Sequence, residues 1–433
     1  MIVLRDYQER AVSNGLKFLC EGQQRAGLIL MPTGCHAKGH QILMFNGKIK
    51  SVEDVVVGDI LYGPNGKPRT VLALARGRQE MRRIVPTKGE PFTVNLDHKL
   101  SIKKVRESKG DTPCRAERVE TITVREYENG SKWYRHVRKL RRVSASFAAC
   151  TVPLDPYLLG CIIGDGAVTY NRVQFTNIDT TLIEAVRDCV TACGCVLNKL
   201  SDTQYSIVDP LSCRSRPNRI MQIFRDLELA DNNSYGLFVP DIYKVNAAAV
   251  QLQVLAALID TDGYYCAKGN MYEHCTVSKR LADDVRFMCR SLGLAAYTTK
   301  TDAKLRGKII GDCYRTNISG DVAIIPVRCA YKQARPRAQV KDVLCTSFKV
   351  ESLPEDDYYG FTLDGDNLYL DANFVVHHNT GKSVVIGETV NRLKMYFPST
   401  RIVMLTHVKE LVQQNHEKAA AMCSHEVGLW SAG

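Results

Sequence analysis

The sequence predicts a mixed fold class: an all-β module built from both ends of a long insert, an α+β domain of two similar halves inside that insert, and α/β fragments on the flanks. Three observations predict it. First, an apolar strand, Leu28-Ile29-Leu30-Met31, runs into Pro32-Thr33-Gly34, and the complement of that half-motif, Thr380-Gly381-Lys382-Ser383, is separated from it by the 345 residues 35–379. Joined, the halves read MPTGTGKS, the form of a phosphate-binding loop. Second, residues 35–150 and 336–379 carry short alternating runs broken by closely spaced turn signals. Third, two apolar helices with acidic-glycine ends recur, their terminal Gly166 and Gly263 lying 97 residues apart. The expected divisions are 1–34, 35–150, 151–335, 336–379 and 380–433.

The flanks come first in order. Residues 1–34 hold Leu4-Arg5-Asp6-Tyr7-Gln8, a helical pattern (Ala11, Leu16, Phe18, Leu19) and the strand into Gly34. Beyond the insert, apolar positions Val384, Val385, Ile386, Val390 and Leu393 predict a helix over 382–396, stopped before Pro398. Arg401 to His407 predicts a buried strand, and 409–422 a further helix. The joined flanks therefore order as strand, phosphate loop, helix, strand, helix, an α/β arrangement.

Within 35–150, Gln41 to Phe45, Asp59 to Tyr62 and Thr70 to Leu74 alternate in the manner of strands. Asn46-Gly47, Gly63-Pro64-Asn65-Gly66 and Lys88-Gly89 separate them as hairpin signals. Residues 344–350, 358–363, 368–370 and 373–376 return to that style. The middle is mixed: each acidic-glycine helix precedes a β-like run and then an amphipathic helix, over 179–191 and 278–292.

Hydrophobic residues make up 45% of the 433, enough for several cores. Net charge is +12, which permits contact with a polyanion such as nucleic acid. The 16 Cys are expected as free, mostly buried thiols. Cys189, Cys193 and Cys195 lack a second pair at zinc-ligand spacing. The first residues show no leader pattern and no apolar run reaches membrane-spanning length. The expectation is a cytoplasmic protein with no membrane.

Both junctions carry the residues of an acyl-exchange sequence. The Cys35 thiol can attack the preceding carbonyl through a five-membered ring and convert the Gly34–Cys35 amide into a thioester. The Thr380 hydroxyl can take over that acyl group as an ester. Asn379 can cyclise through its side-chain nitrogen and cleave the Asn379–Thr380 bond, and an O-to-N shift then restores an amide. His98 is a candidate to protonate the nitrogen leaving Cys35, and His378 to polarise the Asn379 carbonyl. No cofactor is needed.

Cys35-His36-Ala37-Lys38-Gly39, Glu53 to Asp59, Asn95 to His98, and Tyr359 to Leu363 through His377-His378-Asn379 resemble, in order, the splicing blocks of inteins with a Hint β-fold. Asn95 stands where Thr is usual, and Gly360 and Asn367 stand near positions that often carry an accessory Asp or Cys and a His. The helices ending at Asp165-Gly166 and Asp262-Gly263 resemble the paired LAGLIDADG (dodecapeptide) motifs of homing endonucleases. That resemblance implies a double-stranded DNA substrate, Mg²⁺ held by Asp165 and Asp262, and accessory lysines for which Lys244 and Lys332 are candidates. The flanks resemble superfamily 2 helicases of the RadD type. This implies ATP and Mg²⁺ as ligands after splicing, with Gln8 reading adenine and Thr33, Gly34, Thr380, Gly381, Lys382 and Ser383 around the phosphates. No later helicase motif follows, so a complete ATP-driven helicase is not expected. A monomer is expected. The competing readings are an insert whose splicing or nuclease activity has decayed, leaving a DNA-binding insertion, and an ATP-binding fragment that tolerates an insertion.

Overall fold

The computed structural model describes residues 9, 12–17, 35–105, 118–169, 172–213, 216–305, 308–336, 342–379, 382–399 and 401–402. It is a mixed α and β structure with extensive sheet.

Two antiparallel sheets combine strands from residues 36–141 with strands from residues 345–378. In the five-stranded sheet, Phe348–Leu363 neighbours His36–Ala37, then Phe92–Asn95, Pro68–Pro86 and Ile60–Tyr62, and Phe348–Leu363 also pairs directly with Pro68–Pro86. In the second sheet, Lys99–Lys104 lies between Arg138–Arg141 and Val376–His378, which in turn pairs Leu368–Leu370. The register sets His36 opposite Tyr359 and Val94, and His377 opposite Leu100. Ile84, Val94, Leu100, Ile102 and Leu140 fill one core, and Ile42, Leu61, Val71, Phe361 and Tyr369 another.

Two details differ from the expected strands. The alternation predicts separate strands over 344–350 and 358–363, but Phe348–Leu363 is one strand paired with Pro68–Pro86 along its length. Its irregularity between Leu353 and Glu355 accommodates Pro354, which has no N–H to give to a ladder. The segment expected to be all-β also holds two short helices, Val124–Asn129 and Lys132–His136. A reciprocal cap between Thr123 and Glu126 starts the first and Ser131 caps the second.

The middle of the chain has two halves of the same design. Pro156–Asp165, capped by Asp155, leads to Gly166–Thr169, Arg172–Thr176, the helix Thr180–Ala192, and then Val196–Lys199 and Gln204–Val208. Ala248–Asp262 leads likewise to Gly263–Cys266, Met271–Thr276, Lys279–Ser291, Ala295–Leu305 and Lys308–Ser319. Each half forms a four-stranded sheet in which its first, second, fourth and third strands lie side by side. A continuous core joins the halves, with Leu158, Leu159, Ile162, Leu255, Leu258 and Ile259 at its centre.

Arg290 ties the middle to the split β domain. Its guanidinium donates to both Glu90 carboxylate oxygens at 2.8 and 3.0 Å, to Asn373 Oδ1 at 2.7 Å and to Ala296 O. Phe287 packs with Leu43, Tyr62, Leu370 and Phe374 across the same boundary. Of the flanks, Glu9 accepts from Arg392 at 2.6 and 2.7 Å, so the segments before residue 35 and after residue 379 touch. Lys382–Tyr396 is helical over the expected span. Among the described residues no helix is long and apolar enough to cross a membrane.

Candidate functional site

Cys35, expected at the upstream junction, directly precedes the His36–Ala37 strand, which lies between Phe348–Leu363 and Phe92–Asn95. Asn95, at the end of Phe92–Asn95, holds Cys35 from two sides. Its Oδ1 accepts from the Cys35 N–H at 3.0 Å, and its own N–H donates to the Cys35 carbonyl at 3.1 Å. The Asn95 amide is oriented in turn: Nδ2 donates to Gln79 Oε1 at 2.8 Å, Gln79 Nε2 donates to Asp97 Oδ2 at 3.1 Å, and Arg125 donates to Asp97. This chain fixes which face of the amide meets Cys35. Cys35 and Asn95 are both buried.

Beside them is a buried histidine cluster. His98 Nε2 meets His377 Nδ1 at 3.2 Å, and His377 Nε2 meets Asp371 Oδ2 at 3.3 Å. His36 Nε2 meets the Tyr369 hydroxyl at 2.6 Å, and its ring stacks on His40 with centroids 3.9 Å apart. Burial acts to raise the Asp371 carboxyl, but its hydrogen bonds with His377 and the Val375 N–H outweigh it and hold the group below the usual carboxylate range. Asp371 Oδ1 also accepts from the Asn373 and Val375 N–H groups. With Asp371 ionised, His377 donates through Nε2, accepts through Nδ1 from His98 Nε2–H, and leaves His98 Nδ1 as a lone pair. That nitrogen is buried and has no hydrogen-bond partner. Burial, then the neighbouring imidazoles, holds His98 and His36 well below the ordinary histidine range, and burial sets His40 at about 4.

Downstream, His378 and Asn379 are buried, and the Asn379 N–H donates to Asn367 O at 2.9 Å. Gln8, Thr33, Gly34, Thr380 and Gly381 lie outside the described residues, and only the backbone of Lys382 and Ser383 is described, at the start of their helix.

In the middle of the chain, Pro156–Asp165 and Ala248–Asp262 pack along small residues. A Cβ on Gly160 would come 2.6 Å from Ala257 Cβ, and one on Gly164 would come 2.1 Å from Thr261 Oγ1. This close approach brings together the helix ends and their carboxylates. Burial and then the charge of Asp165 push Asp262 up to about 6, against the pull of Lys332. Burial also raises Asp165, offset by a hydrogen bond from Asn177 at 2.6 Å and by Lys332. The Lys332 ammonium donates to Ile259 O, Asp260 O and Thr261 O, carbonyls of the last turn of the second helix. Lys244 is committed elsewhere, to Asp241 at 2.8 Å and Asp284 at 2.9 Å. Two desolvated carboxylates with raised pKa values are a donor set suited to a hard divalent cation. Among the described residues, groups with three potential metal ligands are formed only in the histidine cluster, and Cys189, Cys193 and Cys195 do not form one.

Sequence reasoning does not single out His36, His40, Asp371 and His377 as site residues. The available signal is positional: five of the ten His of the chain, His36, His40, His98, His377 and His378, stand close to a junction or its partner block.

Fold and site together define a β domain built from strands within residues 35–141 and 345–379, with a two-halved α+β domain between them in sequence. Residues 35–152 match the family described as Hom_end-associated Hint, so this segment carries a Hint intein domain. A stretch of 91 residues is 37% identical to the catalytic chain of the V-type proton ATPase of Candida tropicalis, taking in 19% of this chain and 8% of that protein. Among solved structures, I-DmoI in complex with DNA and Mn is 19% identical with a TM-score of 0.27, over 38% of this chain and 88% of that one. The gp41-1 intein is 14% identical with a TM-score of 0.19, over 25% of this chain and 68% of that one.

Proposed function

We propose that residues 35–379 excise themselves and join Gly34 to Thr380. The observation that carries this reading is the grip of Asn95 on the Cys35 amide, within a β domain whose other end delivers His377, His378 and Asn379. The Hint match, which begins at Cys35, supports it. His98 Nδ1 takes the Cys35 thiol proton, the sulfur attacks the Gly34 carbonyl, and the proton passes to the departing nitrogen of Cys35. Asp371 and His377 hold His98 in the tautomer this requires. The Thr380 hydroxyl attacks the thioester and regenerates the thiol. Asn379 cyclises with His378 beside its carbonyl and releases the Thr380 amine, which captures the acyl group from its own oxygen. Each step exchanges one acyl bond for another, so ATP is not consumed.

The inserted α+β domain is, in this reading, a homing endonuclease that breaks both strands of an intein-free copy of the host gene. Asp165 and Asp262 would hold Mg²⁺, which when bound activates water for phosphodiester attack. Lys332 steadies the carboxylate pair from the second helix end. The ion pairs that hold Lys244 suit a structural role better than the accessory catalytic one considered from sequence. The flanks are a helicase fragment whose phosphate loop, Thr33-Gly34-Thr380-Gly381-Lys382-Ser383, forms only on ligation, with Gln8 at the adenine. The helix over Lys382–Tyr396 and the Glu9–Arg392 contact favour that reading.

Expression followed by mass spectrometry tests the main proposal. An excised insert of ~38 kDa and a ligated product of ~10 kDa are expected, at about 110 Da per residue. Cys35→Ala with Asn379→Ala should leave only precursor, and any ligated product from it overturns the assignment. For the nuclease, Mg²⁺-dependent cleavage of the uninterrupted host sequence should disappear in Asp165→Asn. No cleavage by the wild-type protein would favour a decayed nuclease.

A further inference from the structure

Arg290 lies in the last turn of the Lys279–Ser291 helix of the α+β domain and is 2% exposed. A guanidinium this deep needs its charge and its donors matched. Nε and Nη2 donate to Ala296 O within the same half-domain, at 3.0 and 2.8 Å. The other bonds cross to the β domain. Nη1 and Nη2 fork onto Glu90 Oε2 and Oε1 at 2.8 and 3.0 Å, and Nη1 also donates to Asn373 Oδ1 at 2.7 Å. Glu90 supplies the countercharge, whereas Asn373 leads into the histidine cluster. The Asn373 N–H donates to Asp371 Oδ1 at 2.8 Å, inside a turn closed by the bond from Phe374 N to Asp371 O. Asp371 Oδ2 meets His377 Nε2 at 3.3 Å, and His377 Nδ1 meets His98 Nε2 at 3.2 Å. A continuous line of hydrogen bonds thus runs from a helix of the α+β domain to the imidazole assigned to the Cys35 proton. Arg290 can hold Glu90 and Asn373 together because its donors are fixed in one plane, and a Lys ammonium has no such fork.

We propose that Arg290 is a positioning residue for thioester formation: through Asn373 it sets the Asp371 turn, and so keeps His377 and His98 in the tautomers that leave His98 Nδ1 open. It touches no reacting atom. The effect on rate rests on the splicing reading, and it makes the α+β domain a working part of the site around Cys35. A role confined to holding the two domains together would lower stability and leave the histidine tautomers as they are.

The tautomers are read first, by nitrogen NMR of isotope-labelled histidine in the full chain with Cys35→Ala and Asn379→Ala. The parent should show His98 and His377 each with an unprotonated Nδ1 and a protonated Nε2. Arg290→Lys keeps the charge and loses the fork, and it should move both residues toward a mixture of tautomers. Arg290→Gln serves as a second variant should the first fail to fold, with folding checked by circular dichroism. Parent signals retained in a folded Arg290 variant overturn the proposal. Rates are then read in the Asn379→Ala chain, from thiol-induced release of residues 1–34. Arg290→Lys should slow release on the order of tenfold. In an Asp371→Asn chain the same substitution should cost much less, because its effect passes through Asp371. Equal slowing in both chains, or release at the parent rate despite altered tautomers, overturns the role in thioester formation. A parent chain that releases nothing refutes the splicing reading and leaves the positioning to be decided by the tautomer test.

Discussion

Asn95→Ala probes the upstream junction most directly. The substitution removes the oxygen 3.0 Å from the Cys35 nitrogen and the donor 2.8 Å from Gln79 Oε1. The main-chain bond from Asn95 N to Cys35 O is unaffected by the change of side chain. Cys35 is 1% exposed and Asn95 0%, so bulk water does not replace the lost partner. Leaving a buried donor without its acceptor costs about 1–3 kcal/mol. The side-chain bond holds the reacting amide, so the loss falls on the barrier to thioester formation and slows it about 5- to 150-fold. The assay uses an Asn379→Ala background, in which downstream cleavage is blocked and added thiol releases residues 1–34 from the thioester. Release of that fragment is followed by mass spectrometry. Asn95→Asp keeps an acceptor for Cys35 and loses the donor to Gln79, and it should fall between wild type and Ala. Release from folded Asn95→Ala protein at the wild-type rate would refute the reasoning.

Two further outcomes follow from the helix pair. Gly160→Ala puts a methyl group 2.6 Å from Ala257 Cβ and 2.9 Å from the Val254 carbonyl, so thermal denaturation should show about 1–3 kcal/mol lost to overpacking. Asp262 ionises near 6 when folded against an ordinary 3.8, so the unfolded chain gives up its proton first as pH rises. Stability present below about pH 4 should therefore fall through pH 6 and stay lost above it, and in chelator at pH 7 Asp262→Asn should exceed wild type by on the order of 2–3 kcal/mol, with the gap closing in acid.

Local patterns carried much of the fold. Helices expected over 179–191 and 278–292 run Thr180–Ala192 and Lys279–Ser291, because amphipathic periodicity and Asp179 and Ser278 as caps act within a few residues. The placement of Asp165 and Asp262 at the ends of their helices was likewise readable, since a repeat places equivalent residues equivalently. The histidine cluster was not. His36 reaches Tyr369 and His98 reaches His377 across separations of 333 and 279 residues, and no local pattern encodes such pairings. The Val124–Asn129 helix was signalled by Thr123 and Glu126 but lies among strand-like runs that masked it. The continuity of Phe348–Leu363 was hidden because residues 351–357 are exposed and show no apolar alternation.

That long strand also sets a clock. Pro68–Pro86 finds its partner only when Phe348–Leu363 has left the ribosome, and the strand carrying His36 sits between Phe348–Leu363 and Phe92–Asn95. At synthesis rates of about 5–20 residues per second, the wait for the intervening chain is on the order of 15–60 seconds. During that interval Cys35 has no completed sheet around it. On the proposed splicing reading, a nucleophile made early in the chain is thus kept idle by topology until nearly all of residues 35–379 exist, and premature cleavage of a nascent chain is avoided without an inhibitor.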